Sequence, residues 1–334
     1  MKCLYIGQCE EGSTSNMRFV ILKELLNGEL ESINLTPIII NTPKVFRSIG
    51  WRYKIGPMMR EINSNIIITL ENDYDMIWID KGVFIKPQTL KIIRNRTKKL
   101  IHFTPDPAFF YHKSRYFRVS LPLYDFCITT KSFELNEYNK YGCQNLIYCT
   151  QGYDEIIHRP QNTFEEKEFE VCFIGHYEKQ RAEIIQAIID SGIKIIIAGI
   201  KWESFIKKNE DKTNLIFFGR HVSGFEYSRL LSLSKIGLGL LSKWIPEKHT
   251  TRTFEIPACG TYLASEKNDE ILSFFGEEVL YFQNTKELIV KINQLLKDPN
   301  LLQLKMSYQT TILNGLEASN QKIMLNLLNK VGLC

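Results

Sequence analysis

Glu247 and Glu255 stand eight positions apart in the stretch Glu247-Lys248-His249-Thr250-Thr251-Arg252-Thr253-Phe254-Glu255-Ile256-Pro257-Ala258-Cys259-Gly260, with a lysine, an arginine and three threonines between them. The threonines supply caps for a short helix over about residues 252–259, and Gly260 supplies its stop. A helix start carrying open N–H groups, hydroxyls and a guanidinium suits a diphosphate. On local features alone the same residues also read as an ordinary capped surface helix with an exposed ion pair. The surrounding chain has to decide between them.

A second set of candidates lies in the first half. Lys81 follows an apolar strand, residues 75–80, and His102 and Asp106 lie at and after another, residues 99–103. In open parallel sheets ligands bind beyond the carboxyl ends of the strands, so these three are placed where chemistry can occur. The plainer reading of each is a loop-end polar residue satisfied by solvent. Asp73-Tyr74-Asp75 has the D-x-D spacing of some metal-dependent transferases, but it precedes its strand and reads as a turn. The basic and aromatic segment of residues 109–118, which includes His112, is suited to stacking sugars or lying on a membrane surface.

The elements that position these residues alternate strand and helix. In the first half, strands are expected at residues 2–6, 38–40, 75–80, 99–103, 126–129 and 145–149, with Pro57 and Pro87 opening two of the helices between them. Periodicity fails over residues 155–168, which carry Pro160 and four carboxylates and read as an interdomain linker. The pattern restarts at residues 170–174, followed by Gly175-His176-Tyr177 and a helix with Ile184, Ile185 and Ile188 on one face. Further strands are expected at residues 193–198, 215–218, 236–240, 261–264 and 279–281, then a long helical stretch over residues 298–330 that can cross back onto the first domain. This is an α/β chain of two wound domains.

Length agrees, since 334 residues exceed one ordinary domain. The net charge of +5 permits an anionic substrate or a membrane surface, but no basic stripe marks a nucleic-acid binder. The eight cysteines show no C-x-x-C pair and no zinc-type spacing, and several sit in apolar strands. Reduced structural thiols imply a cytoplasmic protein. The start, Met1-Lys2-Cys3-Leu4-Tyr5-Ile6-Gly7, is too soon interrupted for a signal peptide, and no apolar run reaches 18 residues. The dinucleotide fingerprint G-x-G-x-x-G is missing after the first strand.

The phrase Arg252-Thr253-Phe254-Glu255-Ile256-Pro257-Ala258-Cys259-Gly260, with Glu247 and Glu255 at E-x7-E spacing, resembles the GT-B glycosyltransferases of group 1, and most of all their CgeB-like, spore-maturation branch. Tyr74-Asp75-Met76-Ile77-Trp78-Ile79-Asp80-Lys81-Gly82, Asp106-Pro107, Gly152-Tyr153-Asp154 before Pro160, and Phe173-Ile174-Gly175 with Lys179 and Arg181 extend the resemblance to residues 70–300. It departs where Lys248-His249-Thr250 replaces the usual Gly-Phe-Pro turn.

The resemblance implies two Rossmann-like domains facing each other across a cleft. An acceptor domain spans residues 1–160, a nucleotide-sugar domain residues 168–315, and a C-terminal helix over residues 316–334 packs back on the first. It implies transfer of a sugar, with retention and without a metal or other cofactor, from a UDP-sugar to a saccharide, lipid-linked glycan or protein acceptor. Glu255 would accept the ribose hydroxyls, and Glu247 would face the donor sugar. Thr251, Arg252 and Thr253, joined by Gly175 and Lys179 or Arg181, would hold the diphosphate. Arg220 and His221 would meet the base, while Lys81 and His112 would serve the acceptor. An inverting enzyme would need a base, Asp106 or His102. The other readings on this fold are a nucleotide-sugar epimerase and a non-catalytic nucleotide-sugar-binding protein of surface assembly. No nucleic-acid partner is expected, and peripheral attachment at the inner face of the membrane fits the charge.

Overall fold

The computed structural model describes residues 1–110 and 113–333. They form two compact units, one of Met1–Thr150 with the chain end from Ile323, the other of Gln151–Lys322. Each is built on one six-stranded sheet.

In the first unit β1 (Cys3–Gly7), β2 (Leu30–Asn34), β3 (Tyr74–Asp80), β4 (Thr97–Thr104), β5 (Phe126–Thr129) and β6 (Leu146–Tyr148) lie in the order β2-β1-β3-β4-β5-β6. Every pairing is parallel. Parallel strands need crossover connections that cover both faces, so their centres must be apolar on both sides. β1 and β3 meet this, with all five residues of β1 buried and six of seven in β3. Ile6, Ile77 and Ile79 join one core, with Met59 and Ile62 of helix Pro57–Thr69; Tyr5, Met76 and Trp78 join the core on the other face.

Helix Asn320–Lys330 closes that second face, inserting Ile323, Met324, Leu327 and Leu328 beside Cys3, Tyr5 and Trp78. The Lys99 ammonium then donates to the carbonyls of Val331 and Gly332, at 2.5 and 2.7 Å. A cation there satisfies carbonyls that a helix end leaves open.

The second unit repeats the plan. β7 (Phe169–Ile174), β8 (Ile195–Ala198), β9 (Leu215–Gly219), β10 (Ser234–Leu238), β11 (Tyr262–Glu266) and β12 (Leu280–Phe282) lie in the order β12-β11-β10-β7-β8-β9, again with parallel pairings. The α/β architecture of two Rossmann-like sheets is the one the strand and helix alternation predicts.

Three local expectations are corrected. Residues 38–40 are not a strand; they belong to helix Thr36–Asn41, where Pro37 occupies the first turn, and the second strand is the preceding Leu30–Asn34. Residues 155–168 are not a free linker. The Gln161 and Asn162 N–H groups donate to the Ser232 hydroxyl, and the buried Lys167 ammonium donates to the carbonyls of Ser232 and Ser234. Finally, the long terminal helix is two helices, Pro299–Gly315 and Asn320–Lys330. Glu317 takes φ +50° between them, a left-handed value that stops a helix, and Asn320 N–H donates to Tyr153 O at 2.8 Å.

Candidate functional site

In each sheet the first strand sends its successors to both sides, so the crevice above the strand ends lies between β1 and β3 in the first unit and between β7 and β10 in the second. Ligands of open α/β sheets sit at such switch points.

In the second unit β7 runs into Gly175. Gly199, at φ +138°, lies so close that a Cβ added to it would meet the Gly175 carbonyl oxygen at 2.1 Å, so no other residue fits there. The same Gly175 carbonyl accepts from the Trp202 indole N–H at 2.8 Å, which fixes the turn. Beyond it Arg181, in the first turn of helix Lys179–Asp190, is buried with a side chain only 4% exposed. Its Nη1 pairs with Glu178 Oε1 at 2.9 Å, and His176 Nε2 lies 2.9 Å from that same oxygen.

Burial, and then the neighbouring charge of Arg252, depress the pKa of Arg181, while Glu178, Glu247 and Glu266 oppose the fall. Burial and the Arg181 charge depress His176 in the same way. Two guanidiniums thus sit within reach of each other's field, and each keeps a buried Nε–H with no protein acceptor among the described residues. Such donors are costly until something accepts from them. A diphosphate supplies the acceptors and the negative charge together.

Arg252 opens helix Arg252–Ala258, as expected, and its Nη2 donates to Leu240 O at 3.3 Å. The capping differs from expectation. Thr251 makes no side-chain cap; instead Thr253 Oγ1 accepts from the N–H of Thr250 at 3.2 Å. Glu255 lies one turn in, where its Oε2 accepts from the Tyr227 hydroxyl at 2.6 Å and its Oε1 lies 3.9 Å from His158 Nε2. The other nitrogen of His158 accepts from Asp154 N–H at 2.9 Å, so Nε2 carries the proton and turns it toward the carboxylate. Burial, then the Glu255 charge, raise the pKa of Tyr227, which stays a neutral donor.

The departure at Lys248-His249-Thr250 has a structural role. His249 is buried, its Nδ1 lies 2.6 Å from Glu270 Oε2, and its Nε2 accepts from Gln151 N–H at 3.2 Å. An imidazole pinned at both ends holds the loop that a rigid small-residue turn would otherwise hold. Lys248 turns to Asp269 at 2.8 Å. Glu247, half-buried, acts on Arg181 through its charge.

Other expected donor residues stand apart. Lys179 is exposed on the first turn of its helix. Arg220 and His221 follow β9 at the sheet's edge, both exposed, and Arg220 pairs with Glu203 at 2.8 Å. Sequence reasoning missed Glu178, Tyr227 and His158. His158 lay in the supposed linker, and Tyr227 belongs to helix Gly224–Ser232, so no short spacing ties either to Glu255.

In the first unit Asp80 ends β3, and Lys81 and Gly82 turn the chain with φ +67° and +57°. Asp80 Oδ2 pairs with Arg18 Nε at 2.7 Å and accepts from the Tyr5 hydroxyl at 2.8 Å, all three side chains being buried. Lys81 Nζ reaches Asp106 Oδ2 at 2.7 Å, with both side chains partly exposed. The loop that carries Asp106 is tied down by Glu134, whose carboxylate accepts from the N–H groups of Ala108, Phe109 and Phe110 at 2.8, 2.8 and 3.1 Å.

His102 corrects an expectation. It is fully buried among the rings of Phe117, Tyr124 and Tyr138, 4.6, 5.3 and 6.4 Å away, so it cannot meet an acceptor. Its residue alternates inward on β4 and belongs to the core. His112 lies outside the described residues. Asp73 and Asp75 pair with Arg96 and Lys98 at the opposite end of the sheet. Among the described residues no group of three or more His, Cys, Asp or Glu side chains is disposed to hold a metal ion.

His102 should dominate part of the acid stability profile. Its Nε2–H donates to Lys81 O at 3.2 Å, its Nδ1 has no partner among the described residues, and burial pushes its pKa down to about 4. The unfolded chain binds this proton near pH 6.5 and the folded one does not, so stability is full above that pH and falls between 6.5 and about 4. The shift corresponds to about 3 kcal/mol. In urea titrations at stepped pH, His102→Phe should flatten this limb; a limb as steep as in the wild type would assign the acid sensitivity elsewhere.

Solved structures with this architecture align over essentially the whole chain. HepE of Anabaena, described in complex with UDP, superposes with a TM-score of 0.66 at 14% identity over 100% of both chains, and its complex with UDP-glucose gives the same values. The α,α-trehalose 6-phosphate synthase of Burkholderia multivorans gives 0.69 at 10% identity, over 99% of this chain and 98% of that one. The Escherichia coli enzyme bound with UDP-2-fluoro glucose gives 0.67 at 9%, over 99% of both. At such identities the likeness shows the fold, that of the two-domain GT-B proteins. Residues 179–320 further match the model of a family described as glycosyl transferase-like, a span that includes Arg181, Tyr227, Arg252 and Glu255. A comparison with curated proteins found no match.

Proposed function

We propose that the chain is a glycosyltransferase that moves a sugar from a nucleotide-sugar, a UDP-sugar, to a saccharide, lipid-linked glycan or protein acceptor. The observation that carries the reading is the pair of guanidiniums, Arg181 and Arg252, brought together at the switch point of the second sheet, each with a buried Nε–H that finds no acceptor among the described residues. In the reaction the bond from the anomeric carbon to the diphosphate breaks, the acceptor oxygen bonds that carbon, and the acceptor proton leaves. Negative charge grows on the departing diphosphate, and fixed donors aimed there contribute about 3–4 kcal/mol each. Arginines supply this stabilisation without a metal, so activity should survive chelators.

Glu255, held by Tyr227 and faced by His158, is oriented to accept the ribose hydroxyls. Asp106 with Lys81 serves the acceptor. The E-x7-E spacing favours retention, in which a donor phosphate oxygen takes the acceptor proton. The arginine phrase at residues 252–260 supports a reading of the chain as CgeB-like.

Incubation with a panel of nucleotide sugars should release UDP slowly from one of them, and absence of both hydrolysis and nucleotide binding in calorimetry would overturn the proposal. Glu255→Ala should weaken UDP binding about tenfold or more, the worth of charge-assisted hydrogen bonds to the ribose. Asp106→Ala should leave UDP affinity intact and lower turnover. Equal affinities for wild type and Glu255→Ala would remove the ribose role.

A further inference from the structure

Helix Lys44–Tyr53 has two apolar faces, and only one of them is used. At 100° per residue Gly50 and Trp51 turn to the protein. A Cβ on Gly50 would meet Met58 Cε at 2.5 Å, and the Trp51 ring stands edge-on to Phe84 at 4.7 Å. Val45, Phe46, Ile49 and Tyr53 occupy the opposite arc. Val45 is 69% exposed, Phe46 44% and Tyr53 62%, and Ile40 and Ile55, each 52% exposed, flank the helix at its two ends. A contiguous outward apolar patch of this kind marks an interaction surface.

The charges around it say what it meets. No Asp or Glu occurs between Glu31 and Glu61, while Lys44, Arg47, Arg52, Lys54 and Arg60 do. Lys54 is buried against Trp51 and Phe84, but Lys44, Arg52 and Arg60 are exposed, and among the described residues none of the three pairs with a carboxylate. A second copy docked face to face would set these cations against themselves with no acid to balance them. An apolar stripe whose own segment, residues 32–60, carries cations and no acid suits the boundary of an anionic lipid surface, where the rings enter the acyl region and the cations meet the headgroups.

We propose that helix Lys44–Tyr53 docks the first unit on anionic membranes. Trp51 also lines a pocket with Asp80, Lys81 and Phe84 at the switch point of the first sheet, so docking would bring that pocket to the lipid surface. The proposal does not depend on the catalytic reading.

The full chain should cosediment with vesicles of phosphatidylglycerol and phosphatidylcholine, less so as salt rises, and not with phosphatidylcholine alone. The double change Lys44→Gln with Arg52→Gln should weaken partitioning about 30-fold, the effect of two surface cations. Val45→Ser with Phe46→Ser should abolish it at low salt. The melting temperature of both variants should match the wild type, since the altered side chains are exposed. No binding to anionic vesicles, equal binding to neutral ones, or unchanged binding by both variants would overturn the proposal. So would a dimer in sedimentation that Val45→Ser with Phe46→Ser dissociates.

Discussion

Replacing Arg252 by Ala is expected to lower turnover about 100- to 1000-fold, the loss that follows removal of one well-placed donor to a developing anion. The melting temperature should barely move. Arg252 is only partly buried, and its one protein acceptor among the described residues, Leu240 O, is 3.3 Å away, so the native fold loses little when it goes. Relief of the repulsion with Arg181 offsets part of that loss, because two close guanidiniums destabilise each other. Arg252→Lys should recover part of the activity, since it restores charge but not the planar fork. The loss of affinity should be large for UDP and small for uridine, which has no phosphate. Turnover within threefold of wild type would place the diphosphate elsewhere.

Arg18→Met is expected to destabilise the first unit by about 3–5 kcal/mol, because it strands a buried carboxylate. Asp80 is one of the most enclosed charges in the sheet, its side chain 1% exposed and that of Arg18 5%. Burial opposes the Arg18 charge and Asp80 outweighs it, so the guanidinium stays protonated. Tyr5 still donates to the same Asp80 oxygen, which puts the effect toward the lower end of that range. Thermal unfolding should show a fall of about 10 °C for a unit of this size. Combining Arg18→Met with Asp80→Leu should restore much of the loss, as replacing both ends of a buried pair by apolar groups often does. A single variant as stable as the wild type would show that the pair contributes nothing net.

The strand alternation was legible because parallel sheets demand apolar runs on both faces, and residues 75–80 or 170–174 have no other stable use. Residues 38–40 misled because three isoleucines fit a strand and a buried helix face equally well, and Pro37, a residue that favours the first helical turn, was the deciding signal. Arg252 and Glu255 were legible from spacing within one helix. Tyr227 and His158 were not, since they meet Glu255 only after strands far apart in sequence come together. His102 shows the reverse error. Its place at a strand end pointed to chemistry, but side chains alternate along a strand and this one turns into an aromatic core.

On the proposed reading, Glu134 bears on how fast and how selectively an acceptor would be handled. A loop with two prolines, Pro105 and Pro107, whose next three N–H groups are all held by one carboxylate has surrendered most of its conformational freedom during folding. If Asp106 serves the acceptor as proposed, it would meet an incoming hydroxyl without a search through loop shapes, and the entropy of ordering would not be charged to the binding step. Selectivity at that position should accordingly be rigid, a matter of which hydroxyl fits the fixed carboxylate rather than which acceptor can mould the loop around itself.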